Sequence, residues 1–458
     1  MTEEFDVVVI GGGSGTAIAE KALNEGLKVA LIEMGPLGGT CLNRGCIPTK
    51  LLIYPAYLVR LIEEARKLGV EAKIERIDAG KIFSRMRRIV SGEVGQYTKG
   101  AGRVRGLTLF KDVGEFIGDY TISVGGKNIR GEKIFIVSGS RPAIPDIEGL
   151  KDTNYHNSDT ILNIDRIPRS IIIIGGGYVA AEYGHFFSAM GSKVSIIHRH
   201  PRVLHYVDPD ISSVFNQEFS KRVELLTLRE AIKISGRGNE KKVTVKNLKT
   251  NTEETYSAEE ILFATGRRSN SDLLKPERSG VKLTRNGFIE VNEYLETSKE
   301  RIWAAGDAIG KFMFKHVANY EVEVAWHNSH NQEKTPVDYS AIPAAVFSYP
   351  QVAQVGLSAD EAKKKGFKVI VGHYHYRDVA MGDAMGSPNG LVKAVISEED
   401  GKILGAQIVG HEASVLIQEV VNVMNCRHNT VYNILRSLHI HPALPEVVQR
   451  AFANLHRV

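Results

Sequence analysis

One pattern occurs twice in this chain and narrows what it can fold into. Residues 5–10 form a short β-rich run that leads into Gly11-Gly12-Gly13-Ser14-Gly15. A helical stretch follows to about Asn24, then a second strand over 28–32 that ends at Glu33. Residues 170–174 are again β-branched and lead into Gly175-Gly176-Gly177. A helix runs through about Ala189, and a strand over 193–197 ends at His198-Arg199. Each unit reads strand, glycine turn, helix, strand, the opening of a dinucleotide-binding domain. The shorter segments 134–141 and 261–267 also match each other, and each follows its glycine unit at a comparable distance. Two related α/β nucleotide domains are therefore predicted, and the period is far above that of a solenoid.

The chemistry of the first unit sits at Gly11, Gly13 and Gly15, whose turn lets backbone amides approach a pyrophosphate at a helix N-terminus. Glu33 closes the second strand, where a carboxylate accepts hydrogen bonds from a ribose. Thr16 takes the third glycine position, which is expected to loosen the helix–strand contact slightly. In the second unit Gly175, Gly177 and Ala180 repeat the spacing, so a second dinucleotide is expected. Its strand ends in His198-Arg199-His200-Pro201-Arg202, with no carboxylate. Basic groups there suit a 2′-phosphate, with His198, Arg199 and Arg202 as its ligands, so NADP(H) is favoured over NAD(H). Gly266 stands next to last in the second of the matching short segments and is counted with the nucleotide positions.

At 458 residues the chain is too long for one core, and two to four domains are expected. After about Thr335 its character changes. Strands are predicted over 352–357, 367–375, 390–397 and 403–410, and helices over 412–424 and 430–437, as in a mixed α/β third domain. A net charge of +5 with no long Lys/Arg run gives no nucleic-acid footprint. No segment is expected to reach the length of a membrane span, and the N-terminus is acidic where a signal peptide would be basic. Three cysteines cannot build a disulfide framework, which favours a reducing, cytoplasmic setting.

Two of those cysteines stand close together in Gly38-Gly39-Thr40-Cys41-Leu42-Asn43-Arg44-Gly45-Cys46-Ile47-Pro48-Thr49-Lys50. The C-x4-C spacing is not that of a zinc site, and no second Cys/His pair lies near it in sequence, so no metal ligands are assigned. A helix N-terminus and nearby cations would stabilise a thiolate here. Arg44 is the cation that the sequence offers. Cys426 has no partner and is expected to be a buried structural thiol.

The cysteine segment resembles the active-site signature of class I pyridine nucleotide–disulfide oxidoreductases, and the resemblance extends over essentially the whole chain in the family's order of motifs. It implies FAD on the first unit, a redox-active Cys41–Cys46 disulfide, Cys46 facing the flavin and Cys41 exchanging with substrate. Lys50 would lie against the flavin, paired with Glu182, and Tyr178 resembles a lid over the nicotinamide pocket. Residues 297–307 resemble the family's second FAD fingerprint, which places Asp307 on the ribitol chain. The tail His439-Ile440-His441-Pro442-Ala443-Leu444-Pro445-Glu446 resembles the family's His-Pro…Glu ending. His441 becomes the acid–base and Glu446 its partner, reaching the disulfide of a second subunit in a homodimer.

The implied architecture is two Rossmann-like dinucleotide-binding domains plus a C-terminal α+β dimerisation domain. Residues 1–145 and 267–335 form the FAD domain, 146–266 the NAD(P) domain and 336–458 the interface domain. The implied activity is electron exchange between NAD(P)(H) and a small dithiol or disulfide, with dihydrolipoamide dehydrogenase first and a lipoyl group as one candidate substrate. The alternative is NADPH-dependent reduction of a low-molecular-weight disulfide, as in mycothione or glutathione reductases. Mercuric reductase and a flavin transhydrogenase rank behind both.

Overall fold

The computed structural model describes residues 2–457 and divides them into two compact units. The first gathers the segment ending at Thr49, Ser84–Ala143 and Gly266–Asp338. Its sheet runs Leu107–Phe110, Val29–Ile32, Thr2–Ile10, Lys127–Ile136, Thr121–Val124 and Glu115–Gly118, with Ile302–Ala304 also pairing Lys127–Ile136. The ladders among the first four strands and that to Ile302–Ala304 are parallel, and the last two form an antiparallel flap. Parallel strands covered on both faces need unbroken apolar runs, and Val7, Val8 and Val9 are fully buried. The first strand starts at Thr2, three residues before the apolar run, because its ladder to Lys127–Ile136 begins there.

Helix Gly15–Asn24 follows the first glycine turn and buries Ile18, Ala19 and Ala22. Gly11 has φ +116°, and a Cβ there would lie 2.1 Å from the carbonyl oxygen of Val137. No other residue fits that turn. The close helix–strand contact falls at Gly15, where a Cβ would sit 2.7 Å from Val9 Cγ1. Thr16 therefore does not loosen this contact as expected; its hydroxyl instead donates to the Gly13 carbonyl at 2.9 Å.

The second unit gathers Lys50–Phe83, Ile144–Thr265 and the chain from Tyr339 onward. A parallel sheet runs Glu224–Thr227, Lys193–His198, Ser170–Ile174, Glu260–Phe263 and His156–Asn157. Helix Tyr178–Ala189 is buried over most of its length. Gly175 mirrors Gly11: φ is +127°, and a Cβ would meet the Ala264 carbonyl oxygen at 2.2 Å. A three-stranded antiparallel sheet, Arg229–Arg237, Glu240–Asn247 and Glu253–Ala258, follows. The C-terminal part is a six-stranded antiparallel sheet, Pro343–Val346, Gln351–Gly356, Ile403–Gly410, Leu391–Ser397, Val369–His375 and Leu455–Arg457. Helices Ala413–Met424, Val431–Leu435 and Pro445–Ala453 share a core with it.

One expectation is corrected. The helical stretch Gly39–Leu68 is long and apolar enough, by length and composition, to cross a bilayer. One face of it packs inward, while Tyr54, Leu58 and Ile62 are exposed. Arg60 is 5% exposed and donates to Glu63 at 2.7 Å and to Ser188 at 2.9 Å, while Leu52, Ile53 and Ala56 are buried.

Candidate active site

Cys41 lies in the short helix Gly39–Asn43, and Cys46 is the first residue of helix Cys46–Ala65. Neither is in a disulfide in this structure; Cys41 is half-buried and Cys46 exposed. The Cys41 thiol is pushed far up from its ordinary range, first by its hydrogen bond with Cys46, then by burial and by charge on Cys46. Cys41 therefore holds its proton, while Cys46 stands at the N-terminus of a twenty-residue helix, a position that suits negative charge.

The cation that favours ionisation of Cys41 is Lys315. Arg44, the cation offered by the sequence, is not among the leading influences on this thiol; its guanidinium lies near Gly35. Lys315 is the first residue of helix Lys315–His330. Its Nζ donates to Ser14 Oγ at 2.8 Å and to Asn319 Oδ1 at 2.7 Å, and no carboxylate pairs with it among the described residues. Burial lowers its pKa, and the two cysteines oppose that shift. Replacing Lys315 with methionine removes the stabilising cation, so the thiol pKa must rise. The pH profile of iodoacetamide alkylation of the reduced protein is expected to move up by about one unit. An unmoved profile would remove Lys315 from the thiol site.

Around the first glycine turn, Glu33 accepts from the amides of Gly12 and Gly35, both at 2.7 Å, which fixes the carboxylate at the strand end. Asp307 accepts from Ser140 Oγ, and Arg267 Nε donates to that same hydroxyl at 2.7 Å. Gly266 accepts from the amide of Ala143 at 2.9 Å, beside the pairing of Ser140–Pro142 with Arg267–Ser269. Ser138 Oγ is buried without a hydrogen-bond partner, close to the Gly11 turn. A partnerless buried hydroxyl and an ammonium without a counter-ion, both at a turn only glycine can make, fit an anionic dinucleotide such as FAD.

In the second unit Lys50 Nζ donates to both oxygens of Glu182 at 2.8 Å and lies 4.5 Å over the Phe347 ring. The amide of Phe347 also donates to Glu182 at 3.1 Å, so this carboxylate is held from two sides. A Cβ on Gly177 would meet nothing within 4 Å, which leaves room above the second turn. His198 is buried at the strand end, Arg199 is exposed, and Arg202 is partly tied up by a 2.9 Å bond to Ser212. Burial, and then the neighbouring His205, His200 and Arg199, push His198 down to about 4. Tyr178 stacks on Tyr206, with ring centroids 5.2 Å apart, and burial raises the Tyr178 hydroxyl to about 12. Sequence reasoning missed Tyr206, which lies in a turn without any motif.

The tail separates its two histidines. The His439 side chain is largely covered, with Nδ1 3.0 Å from the Ser437 carbonyl and Nε2 2.7 Å from Glu419. His441 is 71% exposed in its side chain, with Nδ1 3.0 Å from Glu446 Oε1. Glu446 is held below the usual carboxylate range by that bond and by the amide of Ala443. Glu446 thus stays ionised and orients a ring whose other edge is available to a reactant. Cys426 is exposed rather than buried as expected. It follows helix Ala413–Met424, and its Sγ caps the Asn422 carbonyl at 3.3 Å instead of packing inward.

Comparison with known proteins places this geometry. Residues 5–322 match the family model "Pyridine nucleotide-disulphide oxidoreductase", and residues 342–452 match the dimerisation domain of the same family. The chain is 36% identical to mycothione reductase of Mycobacterium tuberculosis over 99% of its own length and 100% of that protein's. It is 33% identical to dihydrolipoyl dehydrogenase of Chlamydia muridarum, covering 98% and 96% of the two chains. Mercuric reductase of Staphylococcus aureus is 31% identical, covering 90% and 76%. Among solved structures, the HOCl-induced flavoprotein disulfide reductase RclA from Escherichia coli superposes with TM-score 0.86 at 25% identity, covering 98% of this chain and 99% of that one. The chain therefore belongs to the pyridine nucleotide-disulphide oxidoreductase family, flavoenzymes that use FAD and NAD(P), and carries that family's dimerisation domain.

Proposed function

We propose that this protein is an NADPH-dependent reductase of a low-molecular-weight disulfide, acting as a cytoplasmic homodimer. The observation that carries the choice of nucleotide is the end of strand Lys193–His198, where His198 and the exposed Arg199 stand and no carboxylate does. The 36% identity to a mycothione reductase over the whole chain supports the substrate class. Dihydrolipoamide dehydrogenase, first in the sequence expectation, remains the second reading on the strength of 33% identity over nearly the same length. A lipoyl group would then be the substrate.

Bound FAD supplies a two-electron relay between the nicotinamide and the cysteine pair. Gly11, Gly13, Gly15, Glu33 and Asp307 would hold it, with Lys50 positioned by Glu182. Gly175, Gly177, Tyr178, His198, Arg199 and Arg202 would hold the nicotinamide dinucleotide. With the pair reduced, His441 takes the proton from Cys41, whose sulfur attacks one sulfur of the substrate disulfide. A mixed disulfide with Cys41 forms, and the departing thiolate takes the proton back from His441. The Cys46 thiolate then attacks Cys41, which restores the Cys41–Cys46 bond and releases the second thiolate, protonated from solvent. Two cysteine thiols are oxidised and one substrate disulfide is reduced to two thiols. The raised Cys41 thiol is the reason a base is needed.

The exposed flanks of His441 support contribution from a second copy: Leu438 is fully exposed and Ile440 is 80% exposed, apolar groups that an interface would cover. For the nucleotide, Arg199→Glu is expected to cut kcat/KM for NADPH by about 10- to 100-fold, the worth of one charge-assisted contact, and to leave NADH turnover nearly unchanged. A wild-type preference for NADH in the same assay would overturn the assignment.

A further inference from the structure

Three histidines of the second nucleotide unit converge, and among the described residues no acidic side chain is bonded to them. One ring nitrogen from each of His198, His200 and His205 lies within 4.8 Å of the others. His198 Nε2 and His205 Nδ1 are 3.3 Å apart. Two nitrogens bound tetrahedrally to one zinc ion at about 2.0–2.1 Å stand about as far apart. His198 is a fixed anchor: it ends the strand and is buried, and its ring packs so close to the glycine turn that a Cβ on Gly176 would lie 2.5 Å from it. His200 and His205 stack on each other, with centroids 3.8 Å apart and planes at 16°. His205 is exposed, so a small adjustment of its ring, stacked on His200 here, brings all three nitrogens onto one ion.

We propose that His198, His200 and His205 form a binding site for one divalent transition cation that prefers imidazole, such as Zn²⁺, and that cation and nucleotide exclude each other. Three protein ligands leave a fourth position for water, and imidazole is a ligand these cations accept readily. The exclusion rests on the reading of this strand end as the 2′-phosphate site, because the cation would occupy His198 and neighbour Arg199. A second link runs through aromatic contacts. His205 packs edge-on against Tyr206 at 5.7 Å, and Tyr206 stacks on Tyr178. Moving His205 onto a metal therefore disturbs the tyrosine pair beside the second glycine turn.

The test uses flavin-loaded protein carrying Cys41→Ser and Cys46→Ser, so that no thiolate pair can take the metal. Co²⁺ is titrated and followed by its ligand-field absorption, then displaced with Zn²⁺. One tetrahedral Co²⁺ per chain is expected, with affinity falling more than about 100-fold in His205→Ala and in His200→Gln, beyond the cost of losing a supporting contact. Flavin content and circular dichroism report whether each variant is folded, and the two positions serve as independent tests. Absent or octahedral binding, or binding unchanged in both folded variants, overturns the site. NADP⁺ is expected to weaken Co²⁺ binding in proportion to its concentration. Tight tetrahedral binding that NADP⁺ leaves untouched overturns the exclusion and counts against the nucleotide assignment, while the metal site itself stands.

Discussion

Replacing Cys41 with serine is expected to lower disulfide turnover by about 10³-fold or more, because a nucleophile is removed and no neighbour can stand in for it. Cys46 is not a substitute: it starts helix Cys46–Ala65, where its proposed role is to face the flavin, while the thiol that must be activated is Cys41. Nucleotide oxidation by artificial one-electron acceptors should survive, since it needs the cofactors and not the substrate thiol. Stopped-flow reduction by NADPH and steady-state disulfide assays on the same preparation separate the two. Loss of both activities together would show damage to the fold or the cofactor site instead.

His441→Ala carries the second large effect, a fall in disulfide turnover of about 10²- to 10⁴-fold, the usual worth of general acid–base catalysis. Its side chain is largely exposed, so stability should hardly change. Glu446→Gln should cost less, because it removes the orienting charge but leaves the imidazole. The same two variants also test the shared site. Cys41→Ser and His441→Ala homodimers would each be inactive. A mixed dimer would regain one working site if His441 serves the other copy's cysteines, and none if each chain completes its own.

Much of this was legible because its chemistry is local in sequence. The two glycine turns are set by Gly11 and Gly175, whose φ values and carbonyl contacts exclude any side chain. Cys41 and Cys46, and likewise His441 and Glu446, are close neighbours in sequence, and the structure brings the second pair to 3.0 Å. Lys50 and Glu182 were paired only by resemblance, and they meet at 2.8 Å. What stayed hidden depends on tertiary placement. Lys315 reaches the cysteines from a helix far along the chain, and no local pattern marks it. Tyr206 and His205 lie in an irregular turn, where no periodicity shows which residues face inward. Thr16 was weighted by its place in a motif, while the close contact falls one residue earlier at Gly15. Cys426 was judged by the average burial of cysteine, but its position just past a helix end leaves it on the surface.

The central claim is that Cys41 and Cys46 are the pair through which electrons from the nucleotide reach the substrate. Differential alkylation tests it most directly. The oxidised, flavin-loaded protein is treated anaerobically with one equivalent of NADPH, alkylated, and mapped by mass spectrometry against an untreated sample. The account predicts that Cys41 and Cys46 are protected before NADPH and both alkylated after it, with Cys426 reactive in both samples. Cysteines 41 and 46 equally reactive before and after the nucleotide would contradict it.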